Sequence, residues 1–334
     1  MPELILTAER LSRSYAPRSL WFDRVLGGGQ AGTRPALVDV SLALHRGETV
    51  GLVGESGSGK STLARCISLL ERPDTGRVLL DGQDLTAMYR GQLRRFRRRI
   101  QVIFQDPFSS LNPRLTVGGA VAEVLRVHKL VPERSVRSRA GELFGQVGLP
   151  TAALNRYPSD FSGGQRQRVC IARALAAEPE VLIADEAVSS LDVSIQAQVL
   201  NLLIDLRDRL GLTILFISHN LHVVRHVAPR IAVMFGGRIV ETLPPGTPLE
   251  AARHPYTQAL LAASPRLVQD HVGETTGVDD DIGGALPTVG CPFRGRCPRA
   301  FDPCESVDPD LLPVAAEHLV ACHYAAQAAT PHAL

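Results

Sequence analysis

Short apolar runs alternate with helical patterns of hydrophobic residues along the first 240 residues of the chain. Residues 38–44 alternate apolar and polar side chains, as a half-buried strand does. Runs of four to five mostly apolar residues, typical of buried parallel strands, lie at 49–53, 100–104, 181–184 and 213–217. Between the strands, the apolar spacing predicts helices over 60–70, 134–147, 163–176 and 194–209. This alternation predicts an α/β fold.

The regular alternation is interrupted once and ends near residue 240. Residues 18–34, which include three consecutive glycines, predict a flexible insertion. Residues 256–263 predict one more helix, and the acidic, glycine-rich stretch 268–290 predicts a linker. A segment rich in cysteine follows it. We therefore expect a first domain over 1–245 and a second over 246–334.

Composition and charge narrow the class of protein. The chain has 334 residues, of which 45% are hydrophobic and 21% charged, close to the globular average. The net charge, 36 − 34 = +2, is too small for a generic binder of nucleic acid or anionic membrane. No run approaches the roughly 18 consecutive apolar residues of a membrane span. The N-terminus lacks the pattern of a signal peptide, so we expect a cytoplasmic protein.

A phosphate-binding motif lies between a predicted strand and a predicted helix. Residues 54–61, GESGSGKS, match G-x-x-x-x-G-K-S/T. Glycines let backbone N–H groups turn around phosphates, Lys60 would neutralise the β- and γ-phosphates, and the Ser61 hydroxyl would ligate Mg²⁺. The motif predicts a nucleoside triphosphate site. Its expected contacts are Gly54, Glu55, Ser56, Gly57, Ser58, Gly59, Lys60, Ser61 and Thr62.

Two adjacent carboxylates end the apolar run 181–184. Asp185 is placed to hold the Mg²⁺ shell, and Glu186 to act as a general base on a water or to orient it. Adjacent acidic residues are common on surfaces, so the pair indicates a catalytic site only in combination with the phosphate motif. Together the two motifs predict hydrolysis of the triphosphate.

A further segment, residues 161–168 with the sequence FSGGQRQR, opens a predicted helix. Ser162 could simply be an N-cap, since serine is favoured there. The segment as a whole resembles the signature sequence of the ATP-binding cassette (ABC) ATPases, and we call it the signature segment. The resemblance implies a P-loop ABC cassette with a RecA-like core, an antiparallel β part and a helical subdomain at about 106–176. Its expected nucleotide contacts are Ser162, Gly163, Gly164 and Gln165.

The ABC resemblance assigns roles to several other residues. In that family, the phosphate loop of one subunit faces the signature of a second, which sandwiches two ATP molecules. Tyr15 resembles the aromatic residue that stacks on adenine. Gln105 resembles the glutamine that contacts Mg²⁺ and the attacking water and couples to the membrane partner. His219 resembles the switch histidine at the γ-phosphate, and Asp192 lies in a segment similar to the loop that communicates across the dimer.

Three positions depart from the family pattern. Ala187 stands where proline usually follows the catalytic glutamate, Ser190 where alanine is usual, and Asn220 where aspartate usually follows the switch histidine. None of these changes removes a group expected to touch ATP. Replacing proline by alanine restores backbone freedom beside Glu186, so it bears on preorganisation of the site.

The resemblance extends beyond the cassette. Stretches 188–194, 254–261 and 290–298 are similar to the ATP-binding subunits of oligopeptide and dipeptide importers. The insertion after Tyr15 and residues 165–168 favour the F-type subunit over the D-type. Such subunits pair beneath two transmembrane permease subunits, fed by an extracytoplasmic peptide-binding protein. The resemblance implies a peripheral ATPase at the cytoplasmic face of the membrane that powers peptide import, with dipeptides, longer peptides and nickel chelates open as cargo.

Four of the six cysteines crowd into the C-terminal segment. Cys291, Cys297, Cys304 and Cys322 have the spacing C-x5-C-x6-C-x17-C, which matches no standard zinc or ferredoxin pattern. Spacing alone leaves metal binding and coincidence open. Related peptide importers carry a similar four-cysteine region, and some hold a 4Fe–4S cluster there. The resemblance therefore implies such a cluster, with zinc as the alternative and His323 as a possible substitute ligand.

Six arginines between 90 and 99 form the densest charge run in the chain. A nucleic-acid groove is one interpretation, but aromatic interleaving for base stacking is sparse. We favour a solvated helix face and expect no nucleic-acid partner. Two other functions stay open: a soluble ABC ATPase acting on ribosomes or DNA, and a metal-binding regulatory protein. A soluble ABC ATPase of that kind usually carries two cassettes or a long coiled coil. A metal-binding regulatory function leaves the ordered nucleotide motifs unexplained.

Overall fold

The structure is a computed structural model, which describes residues 3–16, 33–189, 191–263, 287 and 289–329. The predicted insertion at 18–34 and the predicted linker at 268–290 lie almost wholly outside these residues, as does Ser190. At the edge of the insertion, Arg34 already belongs to a strand.

Helices and strands alternate through most of the described chain. The strands are β1 (Leu4–Tyr15), β2 (Arg34–His45), β3 (Thr49–Val53), β4 (Thr75–Leu80), β5 (Gln83–Asp84), β6 (Ile100–Ile103), β7 (Val181–Asp185), β8 (Thr213–Ser218), β9 (Arg230–Phe235), β10 (Arg238–Leu243), β11 (Leu312–Ala315) and β12 (His318–Val320). The α-helices are α1 (Lys60–Ile67), α2 (Arg90–Arg99), α3 (Pro107–Ser110), α4 (Val117–Val127), α5 (Val136–Gln146), α6 (Gly163–Leu175), α7 (Val193–Leu210), α8 (Leu221–Val227), α9 (Pro255–Ala263), α10 (Pro303–Ser306) and α11 (His323–Ala329). Each strand and helix predicted from the apolar pattern is present, with ends shifted by at most a few residues.

Two sheets organise the described residues. An antiparallel sheet has the order β2-β1-β4-β5, and a mixed sheet has the order β11-β12-β10-β9-β3-β8-β7-β6. In the mixed sheet β10 pairs antiparallel with β9, whereas β9, β3, β8, β7 and β6 run parallel to one another. Their carboxyl ends therefore lie along one edge, where α/β folds place ligands. Predicted site residues lie in the segments that follow β3, β6, β7 and β8.

The parallel strands are buried on both faces, which explains their continuous apolar sequences. All five residues of β3 and all six of β8 are buried. The side chains of β3 divide between two cores. Leu52 joins the core that β1, β2 and α1 share, whereas Val53 joins the core formed with the helices. The phosphate loop therefore leaves the sheet from a rigid position.

Helices α3 to α6 fill the stretch 107–175 between β6 and β7. Phe144 and Val169 are wholly inaccessible to solvent within their common core. The arginine run forms α2, where the guanidinium of Arg99 pairs with Glu180 and Asp81. Arg94 donates instead to the carbonyl of Val127 at 2.7 Å. Arg94 is exposed, as a solvated helix face predicts, but both arginines also bind other parts of the chain.

The chain beyond residue 246 adds to the mixed sheet. Strand β12 pairs antiparallel with β10, so that Glu241 faces Val320. Helix α9 brings the ring of Tyr256 against that of Phe235, with centroids 4.6 Å apart, and Phe293 lies 5.4 Å from Tyr256. We call Phe235, Tyr256 and Phe293 the aromatic cluster. Among the described residues, no helix is both long and apolar enough to cross a bilayer.

Candidate nucleotide site

A cavity of about 350 Å³ opens at the carboxyl edge of the mixed sheet. Most of its lining was predicted from the sequence: Tyr15, Ser56, Gly57, Gly59, Lys60, Ser61, Thr62, Gln105 and Glu186. Sequence analysis missed the rest of the lining, which is Arg34, Pro35, Ala36, Gly236 and Gly237. The turn glycines between β9 and β10 give a weak sequence signal, but nothing local links them to the phosphate motif. Their place follows from the backbone bond that Gly237 N–H donates to the Ser58 carbonyl at 2.9 Å.

The phosphate loop depends on its glycines. Gly57 and Gly59 have φ values of 75° and 107°, a region that other residues avoid. A Cβ on Gly59 would lie 2.4 Å from the Ala36 carbonyl oxygen, so a side chain there would also clash. Helix α1 follows directly, and its first N–H groups point toward the loop, as anion binding requires.

Lys60 is held inside the loop. Its ammonium donates to the carbonyls of Gly54 at 2.7 Å and Glu55 at 2.8 Å. Only 4% of the residue is exposed, and burial lowers the pKa of the ammonium. The nearby Glu186 and Asp185 carboxylates oppose that shift. A buried ammonium held by neutral carbonyls is a strong partner for a phosphate anion.

Ser61 lines the cavity, and Asp185 lies directly behind it, outside the lining. The Ser61 hydroxyl donates to Asp185 Oδ1 at 3.1 Å. Burial raises the pKa of Asp185, and the bond from Ser61 counteracts it. A divalent cation favours hydroxyl and carboxylate oxygens and would stabilise the ionised carboxylate. The two side chains therefore fit a Mg²⁺ ion that a bound triphosphate brings.

Glu186 lies where the carboxyl ends of β6, β7 and β8 come together. Gln105 Nε2 donates to Glu186 Oε2 at 2.8 Å, and His219 Nδ1 lies 4.0 Å from Oε1. His219 is the main cause that lowers the pKa of Glu186, followed by the charge of Lys60. The Glu186 backbone has φ of 48°, which costs energy in a residue other than glycine. This conformation aims an ionised carboxylate into the cavity.

Tyr15 ends β1 and lines the cavity. Its hydroxyl donates to Glu71, and the Arg13 guanidinium lies 5.2 Å from the ring centroid. The structure thus holds the ring at the mouth of the cavity. An aromatic face at this position can stack on a planar base.

The signature segment begins α6 away from this cavity. The Ser162 backbone N–H donates to Gln165 Oε1 at 3.0 Å, and its hydroxyl accepts from the Gln165 backbone N–H, which forms a capping box. A Cβ on Gly164 would lie 2.3 Å from Cγ2 of Ile195, so only glycine lets α6 approach α7 here. Ser162, Gly163, Gly164 and Gln165 do not line the nucleotide cavity of their own chain.

The four C-terminal cysteines, all of which lie in the described part of the chain, form no converged metal site. Cys291, Cys304 and Cys322 are buried, and Cys297 is half-buried. Burial, assisted by the neighbouring thiols, raises the pKa of Cys291 to about 11. Among residues 3–16, 33–189, 191–263, 287 and 289–329, no three His, Cys, Asp or Glu side chains converge on one ion. The structure therefore does not support the predicted 4Fe–4S cluster, and Nε2 of His323 pairs with a backbone carbonyl instead.

Comparison with known proteins identifies the family. The family model "ABC transporter" matches residues 37–189, and "Oligopeptide/dipeptide transporter, C-terminal region" matches 240–304. A probable peptide ABC transporter ATP-binding protein, y4tS of Sinorhizobium fredii, is 44% identical over 99% of this chain and 93% of its own. This chain belongs to the ABC transporter family. A second relative of this ABC ATPase, the di/tripeptide transport ATP-binding protein DppF of Pseudomonas aeruginosa, is 44% identical over 97% of this chain and 99% of its own.

Solved structures agree with this assignment. The dimeric structure of MJ0796, a bacterial ABC transporter cassette, matches with a TM-score of 0.61 and 27% identity. The match covers 72% of this chain and 98% of that one. The P-loop ABC cassette predicted from the signature segment is therefore confirmed, with its mixed α/β sheets. ATP binding and hydrolysis are the activity of this chain.

Proposed function

We propose that this chain powers peptide import by hydrolysing ATP at a site that it completes with a second cassette. The observation that carries the proposal is the convergence of Lys60, the Ser61–Asp185 pair and the Gln105–Glu186 pair on one cavity. These groups match the successive needs of binding, charge neutralisation and attack by water. The peptide cargo rests on the relatives, which are named as peptide transport proteins.

Binding follows from the loop and the aromatic residue above it. Lys60 and the N–H groups of residues 56–62 take the β- and γ-phosphates, and Tyr15 stacks on the adenine. Ser61, Asp185 and Gln105 would hold Mg²⁺, which when bound would neutralise charge on the phosphates. The lowered pKa of Lys60 reflects burial without a full counter-charge. A bound triphosphate supplies that charge.

Hydrolysis is the task of Glu186. Its lowered pKa keeps it ionised at neutral pH, so it can hold a water and accept its proton. Gln105 fixes the orientation of the carboxylate through its amide, and the His219 ring lies beside the same carboxylate. Movement of the segment around Gln105 then passes to the permease.

The signature segment implies a partner. Because Ser162 to Gln165 lie outside the cavity of their own chain, we place them against the ATP of a second cassette, as the dimeric relative suggests. We propose a D-type paralogue as that cassette and this chain as the F-type member. Two permease subunits and an extracytoplasmic peptide-binding protein complete the transporter. The ATPase then lies peripherally at the cytoplasmic face of the membrane.

A 4Fe–4S cluster at the four cysteines stays a prediction from the sequence resemblance. The resemblance to peptide importers supports the cluster, and the lack of a converged ligand set among the described residues counts against it. Anaerobic purification followed by iron and zinc analysis and visible absorbance tests it. About four irons per chain would establish the cluster, zinc would establish the alternative, and neither metal would reject both.

Two measurements test the proposed function. Affinity capture of the tagged chain from solubilised membranes should recover permease subunits, whereas recovery of ribosomes or DNA would favour a soluble ABC ATPase. Uptake of labelled dipeptides and longer peptides should fall in a deletion strain and return with the wild-type gene. Normal peptide uptake together with lost nickel uptake would move the cargo to nickel chelates.

A further inference from the structure

Two residues of the C-terminal part of the chain, Tyr256 and Arg296, bind Glu55 of the phosphate loop. Its carboxylate, in a residue that is 7% exposed, accepts two hydrogen bonds from the Arg296 guanidinium, at 2.7 Å and 2.9 Å. Its backbone N–H donates to the Tyr256 hydroxyl at 2.8 Å. Its carbonyl accepts from the Lys60 ammonium at 2.8 Å. Glu55 therefore joins the C-terminal part of the chain to the lysine that faces the phosphates.

Arg296 is itself held in place. Its guanidinium carbon lies 5.9 Å from the centroid of Phe235 and 5.6 Å from that of Phe293, both in the aromatic cluster. The two parallel N–H···O bonds to Glu55 add a planar fit that is specific to arginine. A pair that is largely shielded from water on the carboxylate side is stronger than an ordinary surface ion pair.

The arginine belongs to the cysteine-bearing segment, 289–307. Arg296 lies between Cys291 and Cys297, in the short turn Arg294–Arg296. The Cys291 backbone N–H donates to the Cys304 carbonyl at 2.9 Å, and Arg294 donates to the Glu305 carbonyl at 3.1 Å. These bonds hold the segment together, so its folding decides whether Arg296 can reach Glu55.

We infer that Arg296 is a positioning residue, which couples the folded state of segment 289–307 to the affinity of the phosphate loop for nucleotide. Arg296 fixes Glu55, and Glu55 fixes Lys60. Without the arginine, the Glu55 carboxylate stays buried without its partner, and the loop shifts to expose it to water. Because coupling between two sites is reciprocal, a bound nucleotide also stabilises segment 289–307.

The direct test measures binding of ADP with Mg²⁺ by calorimetry, since ADP is not hydrolysed. Arg296→Ala and Glu55→Gln should each raise the dissociation constant by about 5- to 20-fold. The double variant should bind ADP no more weakly than the weaker-binding of the two single variants, because both changes remove the same contact between Arg296 and Glu55. Arg299→Ala is the matched control: Arg299 is exposed, lies in the same segment and stacks over Tyr324 at 4.7 Å. It should bind like the wild type.

Kinetics separate positioning from general damage. Arg296→Ala should raise KM for ATP by the same factor as the dissociation constant and leave kcat within about twofold. Arg296→Lys should recover part of the affinity, since it keeps the charge but loses the two-bond geometry. Affinity within twofold of wild type for Arg296→Ala, or effects that add in the double variant, would overturn the inference.

A third measurement needs no variant. In the wild-type chain, Mg²⁺ and ADP should slow amide hydrogen exchange across 291–297, and unchanged exchange there in a chain that binds ADP would overturn the inference. The inference rests on the proposed nucleotide site, but the two fail differently. A wild-type chain that binds no nucleotide rejects the site itself, whereas normal binding by both wild type and Arg296→Ala rejects only the coupling.

Discussion

The Gln105 amide donates a hydrogen bond to the Glu186 carboxylate over 2.8 Å, although 81 residues separate them in the chain. Gln105 follows β6 and Glu186 follows β7, and these strands are parallel neighbours that pair Ile103 with Ala184. Parallel pairing brings their carboxyl ends to one edge of the sheet, so two loops that are distant in sequence share one proposed reaction centre.

The first prediction concerns the proposed base. Glu186→Gln should keep ATP binding and lose hydrolysis by about 10²- to 10⁴-fold, because the amide cannot accept the proton from water. The variant should also accumulate as a closed dimer when ATP is present. Phosphate release and light scattering with and without ATP measure both effects. Glu142→Gln, an exposed carboxylate in α5, is the control, and near-normal turnover in Glu186→Gln would show that the base is misassigned.

The second prediction concerns the residue after the base. Ala187 is buried and does not line the nucleotide cavity. Ala187→Pro restricts the backbone beside Glu186, so it should leave ATP affinity unchanged and alter kcat by about two- to fivefold, the size of such backbone effects. Equilibrium binding and steady-state turnover measure the two separately. Loss of ATP binding would refute the placement of this motif.

The third prediction is a pH dependence of stability that originates at His254. Burial lowers its pKa to about 4, and Nδ1 accepts the Tyr256 N–H at 3.0 Å, so the folded state holds the ring neutral. The unfolded ring has its ordinary pKa of about 6.5 and binds a proton first. The contribution of His254 to the free energy of unfolding is therefore retained above about pH 6.5. It is lost as the pH drops toward 4, and the loss is about 2 kcal/mol at pH 5.

Urea unfolding at pH 7.5 and pH 5 measures this loss. His254→Asn keeps an acceptor for the Tyr256 N–H but removes the titration, so the variant should lose about 2 kcal/mol less than wild type between the two pH values. His226→Asn changes an exposed histidine and should behave like wild type. An equal pH dependence in wild type and His254→Asn would contradict the prediction.

The fourth prediction tests the packing beneath the phosphate loop. A Cβ on Gly51 of β3 would lie 2.0 Å from Cγ1 of Val224 in α8. Gly51→Ala should lower the free energy of unfolding by about 2 kcal/mol through overpacking. Val224→Ala removes the clashing methyl, so the double variant should be more stable than the sum of the single effects predicts by about 1 kcal/mol or more. Simple additivity in thermal and urea unfolding would exclude this contact.

The apolar pattern and the local motifs were enough to predict the cassette. The strand 49–53 and the helix after Gly59 follow from residues adjacent in sequence, because burial on both faces and positive φ at glycine act locally. The sequence could place the arginine run on a helix, but it could not predict which carboxylates the arginines bind. Glu180 and Asp81, the carboxylates that bind Arg99, come from distant parts of the chain.

The sequence alone determined which residues could bind phosphate, Mg²⁺ and water, and it determined the family, since each motif combines residue types with a fixed spacing. The tertiary structure decided which of them share a cavity and which await another chain. It separated Ser162 to Gln165 from the cavity and brought Arg296 to Glu55 across 241 residues. Such contacts depend on how the sheets and helices pack together in three dimensions. No local spacing encodes them.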